Sequence, residues 1–176
     1  MHLAARYRFA SVNFDVRHHS VLMLTTELLC HRRDLVPLVS SWLLKEWPQW
    51  YGAGGPGDLQ RDVQEFSASS SVLPIGIVVF AEDTPVGFGA LKAESIPSHT
   101  HLSPWAAAGV VLPSHRGRGI GATLLQALVA QAKAVGFQAV YCGTSTAANL
   151  LTRSGWQLLE SVTHAGQPLS IYRSGA

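Results

Sequence analysis

The run of residues from Arg116 to Ala122 combines residue types that bind anions. It contains glycines at positions 117, 119 and 121 and two arginines, Arg116 and Arg118. Glycine leaves the backbone bare and admits conformations that other residues avoid. An apolar helical pattern begins within the run, so unpaired amides at a helix start should lie beside the two cations. This combination predicts a binding site for a phosphate or pyrophosphate group.

Spacing separates this run from two other phosphate motifs. A P-loop needs Gly-Lys-Ser/Thr after four spacer residues, and the run has none. Gly117, Gly119 and Ala122 do fit the dinucleotide fingerprint G-x-G-x-x-[GA], but that fold also places an acidic residue about 20 positions later. Residues 138–148 contain no Asp or Glu, and too little chain follows the run for a dinucleotide domain. A dinucleotide oxidoreductase is therefore not expected.

The run resembles the signature [QR]-x-x-G-x-[GA] of the GNAT superfamily of acyl-CoA N-acyltransferases, with Arg116, Gly119 and Gly121 at the fixed positions. The flanking sequence is also similar to the family. The segment 111–113, Val-Leu-Pro, resembles the V-x-P at the end of the family's fourth strand, and Gly155-Trp156 resembles the Gly-Phe/Trp pair that closes a later helix. The resemblance implies an acetyl-CoA-dependent N-acetyltransferase that acts on a primary amine of a small molecule or peptide.

The resemblance also implies where acetyl-CoA would bind. In this fold the fourth and fifth strands are parallel neighbours that splay apart, and the pantetheine arm completes the sheet between them. An amide at Val110 or Val111 would polarise the thioester carbonyl while the amine attacks it directly. Acetyl-CoA is the co-substrate, and no metal is implied. The implied acetyl-CoA ligands are Gly109, Val110, Val111, Arg116, Gly117, Arg118, Gly119, Ile120, Gly121, Ala122 and Thr144.

The amine is mostly protonated at neutral pH, so a general base is needed. The family commonly carries a carboxylate on or beside its fourth strand, but residues 105–112 contain no acid. Glu94 and His101 are the candidate bases by topology, and His99 lies between them in sequence. The alternative for each of the three is an exposed residue of a hairpin loop.

The proton donor for the leaving thiolate departs from the family pattern. The tyrosine that the family places four residues before the closing glycine corresponds to Leu151, which has no proton to donate. Water or a hydroxyl such as Ser145 would then supply the proton, or the thiolate would leave unassisted. The same departure keeps an alternative open, in which the domain is a non-catalytic sensor that binds CoA or a nucleotide.

Two aromatic residues lie beside a glycine-rich stretch between the first two predicted helices. By the family resemblance, Trp50 and Tyr51 would line the acceptor pocket. The alternative is that they fasten this loop to the core, because buried aromatic rings usually pack. Both interpretations remain open from the sequence.

Periodicity predicts the elements that must position these residues. Asp34 and Asp58 are expected to start helices, Pro37 is tolerable only in a first turn, and Gly136 is placed to end the long helix. Strands are expected over residues 21–26, 74–81, 85–94, 105–112, 137–143, 156–162 and 168–172, and helices over residues 34–47, 58–68, from the glycine run to 135, and 147–154. The fold class is α+β: a mixed, mostly antiparallel twisted sheet of about six to seven strands. The resemblance to the GNAT fold implies that the fourth and fifth of the expected strands form a splayed parallel pair and that helices cover both faces.

Composition sets the remaining expectations. The chain has 176 residues, a length that favours one domain, which is assigned to residues 21–176. It is 47% hydrophobic and only 14% charged, so most of it should fold. Residues 1–20 form an extension or a leading strand, and His18 and His19 within them are expected at the surface. A net charge of +2 is too weak to indicate nucleic acid, and no apolar run approaches the roughly 18 residues of a membrane span. Cys30 and Cys142 lack metal-ligand spacing, so a reduced, cytoplasmic setting is expected for a monomer or homodimer.

Overall fold

The computed structural model describes residues 7–8 and 22–175. Its helices are α1 Val36–Glu46, α2 Pro48–Tyr51, α3 Leu59–Phe66, α4 Ile120–Ala134 and α5 Ala148–Arg153. Its strands are β1 Tyr7–Arg8, β2 Leu24–Leu28, β3 Ile75–Ala81, β4 Thr84–Lys92, β5 Trp105–Val111, β6 Ala139–Thr144, β7 Gln157–His164 and β8 Gln167–Gly175.

The strands form one eight-stranded sheet in the order β1-β2-β3-β4-β5-β6-β8-β7. Every neighbouring pair is antiparallel except β5 and β6, which are parallel and joined through α4. The strands β5 and β6 correspond to the fourth and fifth strands of the sequence analysis, which were expected to form the splayed parallel pair. Their numbers are higher by one because the short strand β1 precedes the first expected strand. The expected mixed sheet is thus confirmed, and β1 adds a two-residue strand at one edge.

Helices cover both faces of the sheet, as expected, because β3 is apolar at every position but its one glycine. Ile77 and Val79 of β3 face the α4 side, where they join Leu124 and Leu128 of α4 in one buried cluster. Val78 faces the other side, where α1 and α3 pack. A strand buried on both faces reads as a continuous apolar run, which explains why β3 was easy to identify from the sequence.

Helix starts were predicted with mixed success. Asp58 precedes α3, and its Oδ1 accepts a hydrogen bond from the Arg61 amide at 3.0 Å, so it is the expected N-cap. Asp34 does not cap α1: its carboxylate accepts from the Arg32 guanidinium instead, at 3.0 Å. A 3₁₀ turn precedes α1, and Pro37 lies in the first turn of α1, as predicted.

The amino-terminal expectations fall mainly outside the described residues. The strand expected over residues 21–26 is found three residues later as β2, and Val21 itself is outside the described part. His18 and His19 also lie outside it. Tyr7 pairs with Thr26 and Arg8 with Thr25, so β1 extends the sheet beyond β2.

Candidate active site

The parallel strands β5 and β6 pair only at one end. Trp105 is paired with Tyr141, whose amide donates to the Pro104 carbonyl at 2.9 Å. Beyond this point, among the described strands, β5 is paired only with β4, and β6 only with β8. The space between residues 106–111 of β5 and residues 142–144 of β6, which we call the gap, therefore has strand edges with free hydrogen-bonding groups on both sides.

A bulge in β5 shapes one side of the gap. Phe88 pairs with Val110 and Ala90 with Ala107, so Ala108 and Gly109 together lie opposite a single residue of β4. Ala108 has a φ of 53°, which costs a non-glycine residue roughly 1–2 kcal/mol. A Cβ added at Gly109 would meet no atom of residues 7–8 or 22–175 within 4 Å, so these residues leave open space beside it. Bulges of this kind are common next to active sites, where they redirect the backbone.

The ladder between β4 and β5 determines which backbone groups face the gap. The Leu112 amide donates to the Val86 carbonyl at 3.0 Å. Because hydrogen-bonded residues alternate along an antiparallel pair, Val110 also points its amide and carbonyl toward β4, whereas Val111 points them into the gap. The Val111 carbonyl already accepts from Arg116 Nε at 3.0 Å. Of the two amides predicted to polarise a thioester, that of Val111 is the one that faces the gap.

A row of unpaired amides follows the gap. Within the described part of the chain, no acceptor receives the backbone N–H groups of residues 117 to 122, and the first hydrogen bond of α4 is from Thr123 to Gly119. Gly117 and Gly119 have φ angles of 74° and 83°, and a Cβ added at either would meet no atom of the described residues within 4 Å. The row is an open cradle of N–H groups at the positive end of a fifteen-residue helix, which suits an anion.

The third glycine of the run has a different role from the other two. A Cβ added at Gly121 would lie 2.9 Å from Leu150 Cδ2, on the neighbouring helix α5. This residue therefore permits the close approach of α4 and α5, and its missing side chain does not open space for an anion. Only its backbone amide belongs to the row.

The two arginines of the run also differ. Arg116 donates to the Val111 carbonyl, and its Nη2 lies 3.4 Å from Glu46 Oε2 at the end of α1. Both ends of this ion pair are substantially exposed, so it contributes well under about 1 kcal/mol of stability. Arg118 is exposed and has no hydrogen bond or ion pair among the described residues. Arg116 thus fixes the loop before α4, while Arg118 is available to a ligand.

Thr144 ends β6 at the open side of the gap. Its Oγ1 accepts hydrogen bonds from the amides of Thr146 at 3.1 Å and Ala147 at 2.8 Å, so it stabilises the turn that leads into α5. Because two amides already donate to the Thr144 hydroxyl oxygen, its remaining capacity is to donate its own proton to another group, such as a ligand in the gap.

The residue at the family's tyrosine position is part of the core. Leu151 is 1% exposed and packs in the α4-side cluster together with Trp156. The Cys142 thiol, which packs against the same cluster, is a poor nucleophile, because burial raises its pKa to about 12. Burial also raises the pKa of the Cys30 thiol. Both thiols are therefore protonated at neutral pH.

The candidate bases lie in the loop between β4 and β5, residues 93–104. Glu94 and His101 are exposed. His99 is not the exposed hairpin residue that was considered in the sequence analysis: it is 8% exposed, and its Nε2 lies 3.0 Å from Glu160 Oε1. Burial of the imidazole is tolerated because the Glu160 carboxylate, on the distant strand β7, forms a hydrogen bond with its Nε2.

Trp50 and Tyr51 take different positions. The Tyr51 hydroxyl donates to Asp62 Oδ2 at 2.9 Å, which fastens α2 to α3. Burial, and then this hydrogen bond, raise the pKa of Tyr51. Trp50 is 50% exposed and lies over Gly57, where any added Cβ would collide with its ring. Tyr51 therefore fastens the loop, and Trp50 keeps an accessible face.

Some contacts at this site have no signal in the sequence. Glu46 lies 70 positions from its partner Arg116, and Glu160 lies 61 positions from His99. Neither acid belongs to a motif, and their spacing matches no helical or strand period.

Among the described residues, no group of three or more His, Cys, Asp or Glu side chains could hold a metal ion. None of the helices in the described ranges has the length and apolar character of a membrane span.

A parallel strand pair that splays at a bulge, followed by free amides at a helix start, defines the GNAT class of fold. The family model described as the Acetyltransferase (GNAT) family matches residues 37–156. The chain is therefore a member of the GNAT acetyltransferase family.

Solved structures share this fold at low sequence identity. An aminoglycoside 6'-acetyltransferase type Ii has a TM-score of 0.66 and 18% identity, covering 85% of this chain and 96% of its own. An aminoglycoside 6'-N-acetyltransferase complexed with coenzyme A has a TM-score of 0.65 and 17% identity, covering 81% and 91%. A putative acetyltransferase from Salmonella typhimurium with acetyl-CoA has a TM-score of 0.60 and 14% identity, covering 86% and 93%. No curated protein sequence matches the chain.

Proposed function

We propose that this acetyltransferase moves an acetyl group from acetyl-CoA to a primary amine of a small molecule or peptide, by direct attack of the amine on the thioester. The observation that carries the proposal is the row of unpaired amides from Gly117 to Ala122 at the open end of the gap. Every helix start leaves some N–H groups to water, but here six consecutive N–H groups line an open cradle beside two arginines, an arrangement that suits a phosphate.

Acetyl-CoA would occupy two adjoining regions. Its pyrophosphate would accept hydrogen bonds from the amide row, with Arg118 free to add a charge. Its pantetheine arm would lie in the gap and pair with the free edge of β5, where Gly109 leaves open space and Val111 presents its amide. Thr144 would donate its hydroxyl proton from the β6 side. Two structures with this fold were solved with CoA or acetyl-CoA, which supports the assignment.

The reaction would then proceed by positioning and polarisation. The gap holds the thioester while its carbonyl oxygen accepts a hydrogen bond from a backbone amide such as that of Val111. A neutral amine forms the new N–C bond, the C–S bond breaks, and the amine's proton passes to a base. Glu94 and His101 are our candidates for that base, since both are exposed in the loop that follows β4.

A covalent acetyl-enzyme is disfavoured by the state of the cysteines. A thiol with a pKa of about 12 has only about 1 in 100,000 of its population as thiolate at pH 7. Cys142 is thus a poor nucleophile toward a thioester. Direct transfer in a ternary complex needs no protein nucleophile.

The leaving thiolate would depart without the family's tyrosine. Leu151 is buried and has no proton to donate. Thiols have pKa values of roughly 8–9, so a thiolate leaves without strong acid assistance. Water or the exposed hydroxyl of Ser145 would protonate it afterwards.

The same leucine favours one alternative function, a sensor that binds CoA or a nucleotide without turnover. Release of free CoA thiol from acetyl-CoA separates the two when it is measured with a panel of aminoglycosides, polyamines and peptides with free N-termini. Amine-dependent release supports the transferase, and the best amine identifies the acceptor class. Tight CoA binding by calorimetry without release from any amine would favour the sensor.

The base assignment has its own test. Glu94→Gln and His101→Gln should each leave the dissociation constant of acetyl-CoA unchanged, because both residues belong to the loop after β4 and neither is part of the amide row. The substitution at the true base should lower kcat and remove the acidic limb of the pH profile, since that limb reports a base that must be deprotonated. If both variants keep the wild-type profile, neither residue is the base.

A further inference from the structure

His99 is buried although it lies in an irregular loop. Its Nε2 is 3.0 Å from Glu160 Oε1, and its Nδ1 is 2.8 Å from Ser98 Oγ. Because a carboxylate only accepts, Nε2 carries a proton toward Glu160, and Nδ1 of the neutral ring then accepts from the Ser98 hydroxyl. Both ring nitrogens have hydrogen-bond partners within the protein, so the ring is held in one orientation.

The loop that carries His99 packs on β6 beside the gap and on the closed end of the gap at Trp105. A Cβ added at Gly143 of β6 would be 3.0 Å from Ile96 Cδ1, so the loop packs directly on this strand. Trp105, fully buried where β5 and β6 still pair, donates from Nε1 to the Leu102 carbonyl at 2.7 Å. With the pyrophosphate held at the open end, the thioester end of a pantetheine arm points toward this closed end.

His101 rests against the buried imidazole. The centroids of the His99 and His101 rings are 5.7 Å apart, with 31° between the ring planes. His101 is exposed, whereas the ring beneath it is fixed by Glu160 and Ser98. The position of His101 thus depends on a ring that a distant strand holds in place.

We infer that Glu160 and His99 form a positioning pair that fixes the loop of residues 93–104, and with it His101, over the reacting end of the gap. The inference rests on the proposed function for the location of the thioester and deepens it by naming what orients the acceptor side. The pair acts across 61 positions of sequence, from β7 to the loop. Neither residue touches the reacting atoms, so both are positioning residues.

Glu160 offers clean substitutions because its side chain is 45% exposed at the sheet edge. Glu160→Leu removes the acceptor for Nε2 on a strand that already carries exposed leucines at 158 and 159. Glu160→Gln keeps an acceptor oxygen and is the conservative rescue. His164→Gln, on the same strand and exposed, is the matched control.

Hydrogen exchange of the unliganded proteins tests the loop directly. The amides of His99 and Leu102 donate to the carbonyls of Ile96 and His99 at 2.9 and 3.0 Å, so they report the turn around the buried ring. Exchange at both amides should be faster in Glu160→Leu by about ten-fold, as expected when roughly one hydrogen bond is lost. Glu160→Gln and His164→Gln should exchange as the wild type does. An unchanged rate in Glu160→Leu overturns the inference whatever the activity.

Kinetics test the connection to His101. Glu160→Leu should lower kcat/KM for the best amine by about ten-fold and change acetyl-CoA affinity by less than about two-fold, with Glu160→Gln restoring most of the loss. In a His101→Gln background, Glu160→Leu should have no further effect. Faster exchange with unchanged kcat/KM, or an undiminished effect without His101, overturns the positioning role. A wild type that turns over no amine overturns the proposed function instead, and the exchange experiment alone then decides whether the pair fixes the loop.

Discussion

Substitution of Gly119 by Glu should strongly weaken acetyl-CoA binding at a modest cost in stability. A Cβ at this position meets no atom within 4 Å, so the folded protein has space for the side chain. The cost to folding is the backbone alone: a φ of 83° costs a non-glycine residue roughly 1–2 kcal/mol, which lowers Tm by about 2–8 °C in a chain of this size.

The loss of affinity comes from charge and from occupied space. Two like charges about 4 Å apart repel by about 1 kcal/mol in water and about 4 kcal/mol near a protein surface. Because each 1.4 kcal/mol is a factor of ten, charge alone weakens binding by about five-fold to several hundred-fold. The side chain also fills the cradle formed by residues 117 to 122. Together these effects predict a loss of at least about 100-fold.

Titration with acetyl-CoA by calorimetry measures this loss, and Gly136→Glu is the matched control. Gly136 has a φ of 95°, and a Cβ added there would likewise meet no atom of the described residues within 4 Å. It follows the carboxyl-terminal end of α4, away from the anion site. It should lose similar stability and keep wild-type affinity. Gly121→Glu should cost less stability than Gly119→Glu, because Gly121 has helical backbone and the Leu150 methyl that its Cβ would meet is the end of a side chain that can turn away. Wild-type affinity in folded Gly119→Glu would refute the placement of the anion site.

Other predictions concern stability and the thiol. Asp58→Ala should lower the free energy of unfolding by about 1 kcal/mol in urea titrations, and Asp58→Asn should retain the cap; equal values for all three would mean that the bond to the Arg61 amide contributes nothing. Tyr51→Phe should cost about 1 kcal/mol at pH 7, through the lost bond to Asp62. The raised pKa of Tyr51 means that the folded state keeps a proton that the unfolded chain loses. The stability that the Tyr51 hydroxyl contributes is therefore complete below about pH 10 and is lost as pH rises further. In urea titrations, the difference in free energy of unfolding between the wild type and Tyr51→Phe should become smaller at alkaline pH. Cys142→Ala should keep kcat within about two-fold, and mass spectrometry after incubation with acetyl-CoA should find no acetylated Cys142 in the wild type; an acetylated thiol would contradict direct transfer.

The sequence by itself was enough to predict the fold and to propose where an anion would bind. Local periodicity identified α4 and both arms of the hairpin from β3 to β4, because those patterns depend only on neighbours within an element. Gly117 and Gly119 predicted a backbone conformation that other residues avoid, and their positive φ angles confirm that glycine is needed at both positions. The cap at Asp58 was equally local, since donor and acceptor are three positions apart.

Tertiary structure decided which side chains meet. Gly121 belongs to the same motif as Gly119, yet it faces Leu150, because the face that a helical residue presents is set by what packs beside it. Arg116 reads as a phosphate ligand, yet its guanidinium reaches Glu46, 70 positions away. The bond from His99 to Glu160 exists only because the loop after β4 folds over β6 beside the closing hairpin. Spacing along the chain governs contacts within one helix or strand, whereas pairs between elements form only when the sheet brings their ends together.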